Sequence, residues 1–585
     1  MDHVDILIVG AGLHGLAMAK TYLEVSPNVQ LLIIDQAQSV GGTWASERLY
    51  PGLKTNNLVG SYEFSDFPMV PERYGLQTGD HIPGAVVHQY FCDFAEHFGL
   101  YSRLLLRTRV DSAISLDNGS WSISLTTESE SDQACPTMRS IVADKLVLAT
   151  GLTSDPYIPT FKGQRDFQGP ILHAKELRAR AGELAELKNV LVVGGNKSAW
   201  DMCYNAAKAG AHVDMVIRPG GGPSYVWPSS FKLFGFRTSL ARLSSTRLFT
   251  CFDPSLHGDA GPFSLFRRFL HRTTIGQAVL SRFWRLLDVS IKRVNQYDSH
   301  PQLAKLTPWI TPFWMGNSLS IHNYDSSWFQ LVRDGRVHVH IAEVTSLSEA
   351  KVHLSNDVAL DADAIICCTG WKTTPSVTFD ETDGAEFSNL HPLESPSTQE
   401  IETAAAESIY NQRPYLRTLP KRECNAPRET DHDYPMPEEH LAGRYELYRF
   451  LVPCERRFIE QRNIAFIGAH SCIHAAMVAQ VQALWITAFF HGRLNYLNLP
   501  RIDFQHIKDD SILHSMYGEI RRPKITGGAG RKYPDLVFDS LPYIDALLQD
   551  LGLKTRRKSS LLREIFESYC LKDYQGLVED WNACT

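Results

Sequence analysis

"DILIVGAGLHG", Asp5 to Gly15, is the stretch that decides the fold. It opens on an unbroken apolar run, the mark of a parallel strand buried on both faces. It then passes through Gly10-Ala11-Gly12-Leu13-His14-Gly15 into a helix-compatible segment ending near Val25. In a G-x-G-x-x-G turn the first glycine makes the tight bend and the second lets backbone approach a pyrophosphate. The third lets helix and strand pack closely, and the helix N-terminus faces the negative charge. A second strand, "VQLLIID", ends in Asp35, where a carboxylate can accept from ribose hydroxyls.

The order recurs downstream. "NVLVVGG" (Asn189 to Gly195) reads as a strand, "NKSAWDMCYNAAKAG" as a helix and "HVDMVIR" (His212 to Arg218) as a strand. Gly194, Asn196, Lys197, Ser198 and Ala199 form the second turn, with Asn196 where the middle glycine belongs. Arg218 stands where the first unit has Asp35, and a cation there suits the 2′-phosphate of NADPH. "ADKLVLATG" and "ADAIICCTG" close the two units in Thr150-Gly151 and Thr369-Gly370, each expected at a cofactor. A hairpin at Asn118-Gly119 precedes the first, and "HLSNDVAL" plays that part before the second. The expected fold is α/β, with two Rossmann-like dinucleotide-binding domains, parallel sheets and β-meanders.

Composition narrows the function. A net charge of -7 gives no basic field for nucleic acid. Eleven cysteines without C-x-x-C spacing read as reduced and cytoplasmic, and the opening "MDHVDILIVG" lacks the basic region of a secretory signal. The apolar stretch Ala469 to Phe490 is broken by His474, Gln480 and Gln482, so a buried helix is expected rather than a membrane span. Residues 229–293 are basic and apolar together, open to three readings: a helical insert with a solvated basic face, a substrate lid or a membrane-surface contact. Residues 376–440 are acidic and proline-rich and read as a long surface loop.

Beyond these patterns the sequence resembles the flavin-containing monooxygenases, the type that includes the Baeyer–Villiger enzymes. The resemblance covers most of the chain. It rests on Gly10 to Gly15, "GGTW" (Gly41 to Trp44), "FSDFP" (Phe64 to Pro68), "FQGPILH" (Phe167 to His173), "AFIGAH" (Ala465 to His470) and "QALW" (Gln482 to Trp485). It implies FAD at the first site and NADPH at the second. It also implies O2 and a small organic substrate as reactants, and oxygen transfer through a C4a-(hydro)peroxyflavin. Gly42, Thr43 and Trp44 would border the flavin. The loop "ERLYPGLKTNNLVGSYEFSDFP" would line the ring, with Thr55-Asn56 matching the family's Thr-Asn pair and Asn56 as the catalytic hydrogen-bonding residue. Baeyer–Villiger enzymes usually carry Asp at that position after a similar "YPG", so ketone insertion stands as the alternative activity. "FQGPILH" matches the family signature between the two sites, and Leu177 departs from the aromatic residue usual four positions on. The expected domains are an FAD part over 1–155, an NADPH part over 156–364, a second FAD part over 365–500 and a helical cap over 501–585. The Asn-Lys-Ser-Ala form of the second turn resembles that of fungal monooxygenases that tailor secondary metabolites, often polyketides.

Three other readings compete. A pyridine-nucleotide disulfide reductase would need Cys367-Cys368 as a redox pair. His470, Cys472 and His474 could hold a metal. A flavoprotein without turnover, or an oxidase-like one, would fit the departures at Asn196 and Leu177.

Overall fold

The computed structural model describes residues 2–129, 135–180, 182, 186–261, 263–314, 319–372, 376–379, 396–420, 444–498, 500, 502–523, 526 and 530–584. The strand Asp2–Val9 lies at the heart of the first sheet. It pairs in parallel with Leu31–Ile34 on one side and with Thr137–Leu148 on the other. Across the sheet the order is 378–379, 108–115, 121–127, 137–148, 2–9, 31–34 and 104–105, with Ile464–Phe466 added in parallel to 137–148. The hairpin expected at Asn118-Gly119 is present, joining Thr108–Ser115 to Trp121–Thr127. The second sheet is wholly parallel, in the order 337–341, 212–217, 189–193, 364–367 and 171–173. An antiparallel meander of Val344–Ser348, Lys351–Leu354 and Ala359–Asp361 lies beside it.

The boundary expected at 364 falls inside a strand. Ala364–Cys367 pairs with Val190–Val193, so the second unit runs on to about 370. Both chain crossings between the units lie side by side. Tyr157 N–H donates to Gly370 O at 3.1 Å, and Lys372 N–H donates to Asp155 O at 2.8 Å.

The helix Leu13–Val25 buries Leu13, Leu16, Ala17 and Met18 in the main core, which also holds the helix Ala475–Phe490. That second helix is apolar on every side and almost wholly buried, as a core helix must be. Its two amides face inward and are bonded there: Gln482 Nε2 donates to Tyr543 OH at 3.0 Å, and Gln480 Nε2 donates to Ser65 Oγ. Among the described residues no helix is long and apolar enough to cross a membrane.

Two regions differ from expectation. The acidic stretch is not all loop. Pro396–Gln412 is a helix and Pro414–Arg417 a 3₁₀ turn, and Ile409, Arg413 and Leu416 are buried against the insert and cap. The expected loop at 380–395 and 421–443 lies outside the described residues. The basic insert begins as a hairpin, Phe231–Leu233 with Phe236–Thr238, before its helices. Its core is shared with the C-terminal cap: Phe283, Trp284 and Leu287 pack in one cluster with Ile512, Met516, Val537 and Phe538.

Insert and cap are also locked by buried charge. The Arg247 guanidinium pairs with Asp545 and Glu564, and its Nη2 donates to Tyr569 OH at 3.2 Å. Arg521 Nη2 donates to Asp253 Oδ2 at 2.6 Å. Removing one partner of such a buried group strands the others without water. Arg247→Ala is expected to destabilise by about 3–5 kcal/mol, read as a lower urea midpoint for loss of the cap's far-UV signal.

Candidate active site

The two glycine-rich turns are built alike. Gly10 has φ +116° and Gly194 φ +140°, and a Cβ on either would meet a carbonyl of the closing strand, Ala149 O at 2.4 Å or Cys368 O at 2.5 Å. Only glycine fits there. Gly12 (φ -80°, ψ -174°) and Asn196 (φ -94°, ψ -179°) then take the same extended conformation at the helix N-cap. Asn196 therefore carries no backbone strain, and its cost to a phosphate is its side chain alone. Gly15 is needed because a Cβ would lie 1.8 Å from Gly10 O. Ala199, fully buried at the matching position, shows that the second helix stands further off its strand.

Asp35 holds the first turn. Its carboxylate accepts from Ala11 N–H at 2.6 Å and Ala37 N–H at 2.8 Å. Burial pushes its pKa up, and these two bonds pull it back. Two of its acceptor sites remain for a ribose.

Both turns open onto one cavity of about 1340 Å³, larger than the roughly 300–1,000 Å³ of a common small-molecule pocket. Gly10, Gly12, Asp35, Gly42, Thr43, Trp44, Thr150 and Gly151 line its first half. Gly194, Asn196, Ser198, Arg218, Thr369 and Gly370 line its second. Ala11, Gly15 and Ala199 act from behind, through backbone and packing. Lys197 does not face the cavity. Its ammonium pairs with Asp201 one helical turn on and donates to Tyr324 OH at 3.3 Å. Tyr50 OH donates to the same carboxylate at 2.8 Å.

Thr55 and Asn56 lie on the strand Lys54–Leu58, outside the cavity lining. Thr55 is buried and structural. Its hydroxyl donates to Asn57 O at 2.6 Å and accepts from Ile82 N–H at 3.0 Å. Asn56 is exposed, and its side chain makes no hydrogen bond among the described residues. His173 sits at the crossing between the units. Lys175 N–H donates to its Nδ1, so the neutral ring carries its proton on Nε2 and donates that to Gly370 O at 3.0 Å. Burial lowers its pKa, in keeping with the neutral form.

Several lining residues carry no local sequence signal. Arg48 Nη2 donates to Thr153 O at 2.9 Å, and its guanidinium lies over the Trp371 ring. Lys175 reaches Ser154 O. Lys532 comes from the C-terminal cap to the Arg218 end. Burial and then the Arg218 charge bring its pKa down to about 8. Glu343 faces the same end, its pKa raised by burial and eased back by Arg218.

The competing chemistries find no geometry. Cys367 and Cys368 are both pushed up by burial, the first to about 12, far from a reactive thiolate. Among the described residues His470, Cys472 and His474 do not converge as ligands, and His474 instead bonds Ser244 Oγ at 2.9 Å.

The cavity suits a flavin dinucleotide in another respect. His14 Nε2 is buried without a hydrogen-bond partner beside the first turn, an arrangement that a polar ligand would complete. With the Gly10–Gly15 cradle and Asp35, this histidine fits FAD.

The comparisons with known proteins agree. The family model of flavin-binding monooxygenase-like proteins matches residues 3–231. An FAD-dependent monooxygenase of Pyrenophora dematioidea is 34% identical over 582 residues, 96% of this chain and 100% of that protein. This chain belongs to the flavin-binding monooxygenase-like family. Among solved structures, the NADP+-bound cyclohexanone monooxygenase of Rhodococcus sp. Phi1 shares the fold at TM-score 0.57 and 16% identity, covering 94% of this chain and 98% of that one. The S-allyl-L-cysteine S-oxygenase of Allium sativum does so at TM-score 0.52 and 14% identity, covering 99% and 94%. The enzyme is thus an FAD-dependent monooxygenase of this family.

Two predictions follow from this geometry. Gly15→Ala drives a methyl into Gly10 O, so the purified protein should lose most of its flavin absorbance relative to protein absorbance, whereas Ala199→Gly should keep it. The buried imidazoles set the acid limit. His470, His474 and His322 are each held near 4 by burial, below the unfolded value of 6.5. The unfolded chain then binds more protons between these values, so stability is complete above about pH 6.5 and falls as pH drops toward 4. Each group contributes a slope of about 1.4 kcal/mol per pH unit in that window. The thermal midpoint should fall steeply from pH 6.5 to 5, and His322→Gln should flatten the fall.

Proposed function

We propose that this enzyme uses NADPH to transfer one oxygen atom of O2 to a small organic substrate of fungal secondary metabolism, of polyketide-like character. The observation that carries the reading is the continuity of the cavity: both dinucleotide turns, with Asp35 at one end and Arg218 at the other, face a single space. The fungal FAD-dependent monooxygenase aligned along nearly the whole chain supports the reaction class.

FAD, when bound, supplies the reducible centre at which O2 is activated. The protein's own groups do the rest. The N-terminus of Leu13–Val25 takes the pyrophosphate and Asp35 the adjoining ribose. Arg218 and Lys532 converge on the place of the NADPH 2′-phosphate, where two cations outweigh Glu343. Trp44 and Tyr62, bonded through Nε1–H to OH at 2.9 Å, wall the flavin side and exclude water. Asn56 is exposed outside the cavity lining, and with FAD bound and the two units drawn together its carboxamide would supply a hydrogen bond beside the flavin. Ketone insertion of the Baeyer–Villiger kind is the alternative outcome of the same site.

Arg218→Ala is expected to raise the KM for NADPH at least tenfold with little change for NADH, measured from initial rates with both nucleotides. Loss of both equally would mean that Arg218 reads no 2′-phosphate. Asn56→Ala should lower product formed per NADPH at least tenfold and release the balance as hydrogen peroxide. Unchanged coupling would remove Asn56 from the chemistry. Turnover under isotopically heavy O2 tests the reaction itself. One heavy atom in the product is required, and its position, in a new ester linkage or on carbon or a heteroatom, separates the two activities.

A further inference from the structure

The insert's two longest helices, Ser264–Arg272 and Thr274–Asn295, form a hairpin turned at Thr273. Thr273 Oγ1 accepts from Gly276 N–H at 3.0 Å, and Gly276 itself is required because a Cβ would lie 2.1 Å from Phe269 O. The two helices are therefore held in close, fixed contact. One face is core, with Leu280, Phe283, Trp284, Leu287 and Ile291 buried.

The opposite face should be polar, as on any solvated helix. It is not. Ile275, Val279, Arg282, Leu286, Val289 and Arg293 follow one another at intervals of four and three along the outer side, and all are exposed. Ile275 is 70% exposed, and on the shorter helix Leu265 is 74% exposed beside exposed Phe266 and Phe269. Interleaved with these are the exposed Arg268, Arg272, Arg282, Arg285 and Arg293. The hairpin's one acidic residue, Asp288, is buried and accepts from Tyr225 OH at 2.8 Å. Arg268, Arg282, Arg285 and Arg293 have no ion pair among the described residues. The outer face is thus apolar and cationic with no anion, on a chain whose net charge is -7.

This face does not serve the cavity, since no described residue between 223 and 341 lines it. The lid reading of the basic insert therefore finds no support. A second copy of the chain is a poor occupant as well. A two-fold interface sets a patch against itself, and here that would bring arginines against arginines. Anionic lipid headgroups match the pattern. Their phosphates would take the guanidinium groups while the aliphatic and phenyl side chains enter the acyl boundary.

We infer that this hairpin is a peripheral membrane-docking element that lies in the plane of an anionic bilayer surface. It presents Leu265, Phe269, Ile275, Val279, Leu286 and Val289 to the lipid, with the outer arginines on the headgroups. With no helix among the described residues able to span, attachment is reversible and salt-sensitive. It would hold the enzyme where apolar substrates partition.

The test is flotation of the FAD-loaded full chain with phosphatidylcholine vesicles, with and without phosphatidylserine. The expected result is binding at least tenfold tighter to the phosphatidylserine vesicles, lost at high salt. Each outer arginine removed should weaken it about fivefold, the equivalent of roughly 1 kcal/mol per basic residue at an anionic surface. Arg282→Glu with Arg293→Glu, and separately Leu286→Ser with Val289→Ser, should each abolish flotation while flavin content and NADPH oxidation stay as in the parent. These positions touch neither cofactor site, so folding is checked by the flavin itself. Failure of the parent chain to float on anionic vesicles overturns the inference, as does flotation that survives both double variants. So does a concentration-dependent dimer, seen by light scattering, that the Leu286→Ser and Val289→Ser pair dissolves while lipid binding is absent.

Discussion

The structure depends on a close approach of backbone to backbone. At Gly10 and again at Gly194 the chain bends so tightly against the end of a closing strand that no side chain fits between them. That contact fixes where each following helix begins, and so where its unpaired N–H groups point. Both helices aim into one space because Thr137–Leu148 and Ala364–Cys367 supply the same carbonyl stop in their respective sheets. A larger residue at either glycine would push the helix off its strand and turn the donors away from the phosphates. The two proposed cofactor sites would be consequences of this packing, with the other lining residues added around it.

What could be read in the sequence follows the range of the forces involved. The strands and turns around Gly10 and Gly194 are local, set by apolar runs and glycine spacing, and they lie where the spacing predicted them. The Asp35 and Arg218 ends are local too, one strand beyond each turn. Lys197 was misleading because its motif position suggests a cofactor, whereas the helical repeat delivers it to Asp201 instead. Thr55 was misread for a similar reason: a side chain beside the reacting region turned out to staple its own strand. Lys532 could not be found at all. It reaches Arg218 from the far end of the chain, and only tertiary packing brings it there. The helix Pro396–Gln412 was hidden by proline and acid on either side of it, and tertiary burial of Ile409 and Leu416 overrode a composition that reads as loop.

Charge is used in two ways in this molecule. Arg247, Arg413 and Arg521 are almost completely buried, each with carboxylates and carbonyls to match. They fix how the insert, the acidic helix and the cap fit together, and any misfit would leave ions without water. Arg268, Arg282, Arg285 and Arg293 on the outer hairpin are solvated and have no ion pair among the described residues. The same residue type therefore holds the inside of the insert and marks its outside.

The paired crossings at Asp155–Tyr157 and Gly370–Lys372 have a mechanical consequence. Two segments tied by this pair of bonds around the Pro156–Trp371 bridge form a short strap that bends about one axis and resists twisting. The parallel sheet of the second unit hangs from that strap. The helical insert leaves the same sheet but is keyed into the cap through Arg247 and a shared core. Sequence order assigns the insert to the second unit, while its contacts make it part of the first body. A swing about the strap would therefore carry the second sheet, its edge strand Val337–Ile341 included, past a wall that stays still, and the joint between moving and fixed parts would run through the insert's own ends near residues 229 and 293.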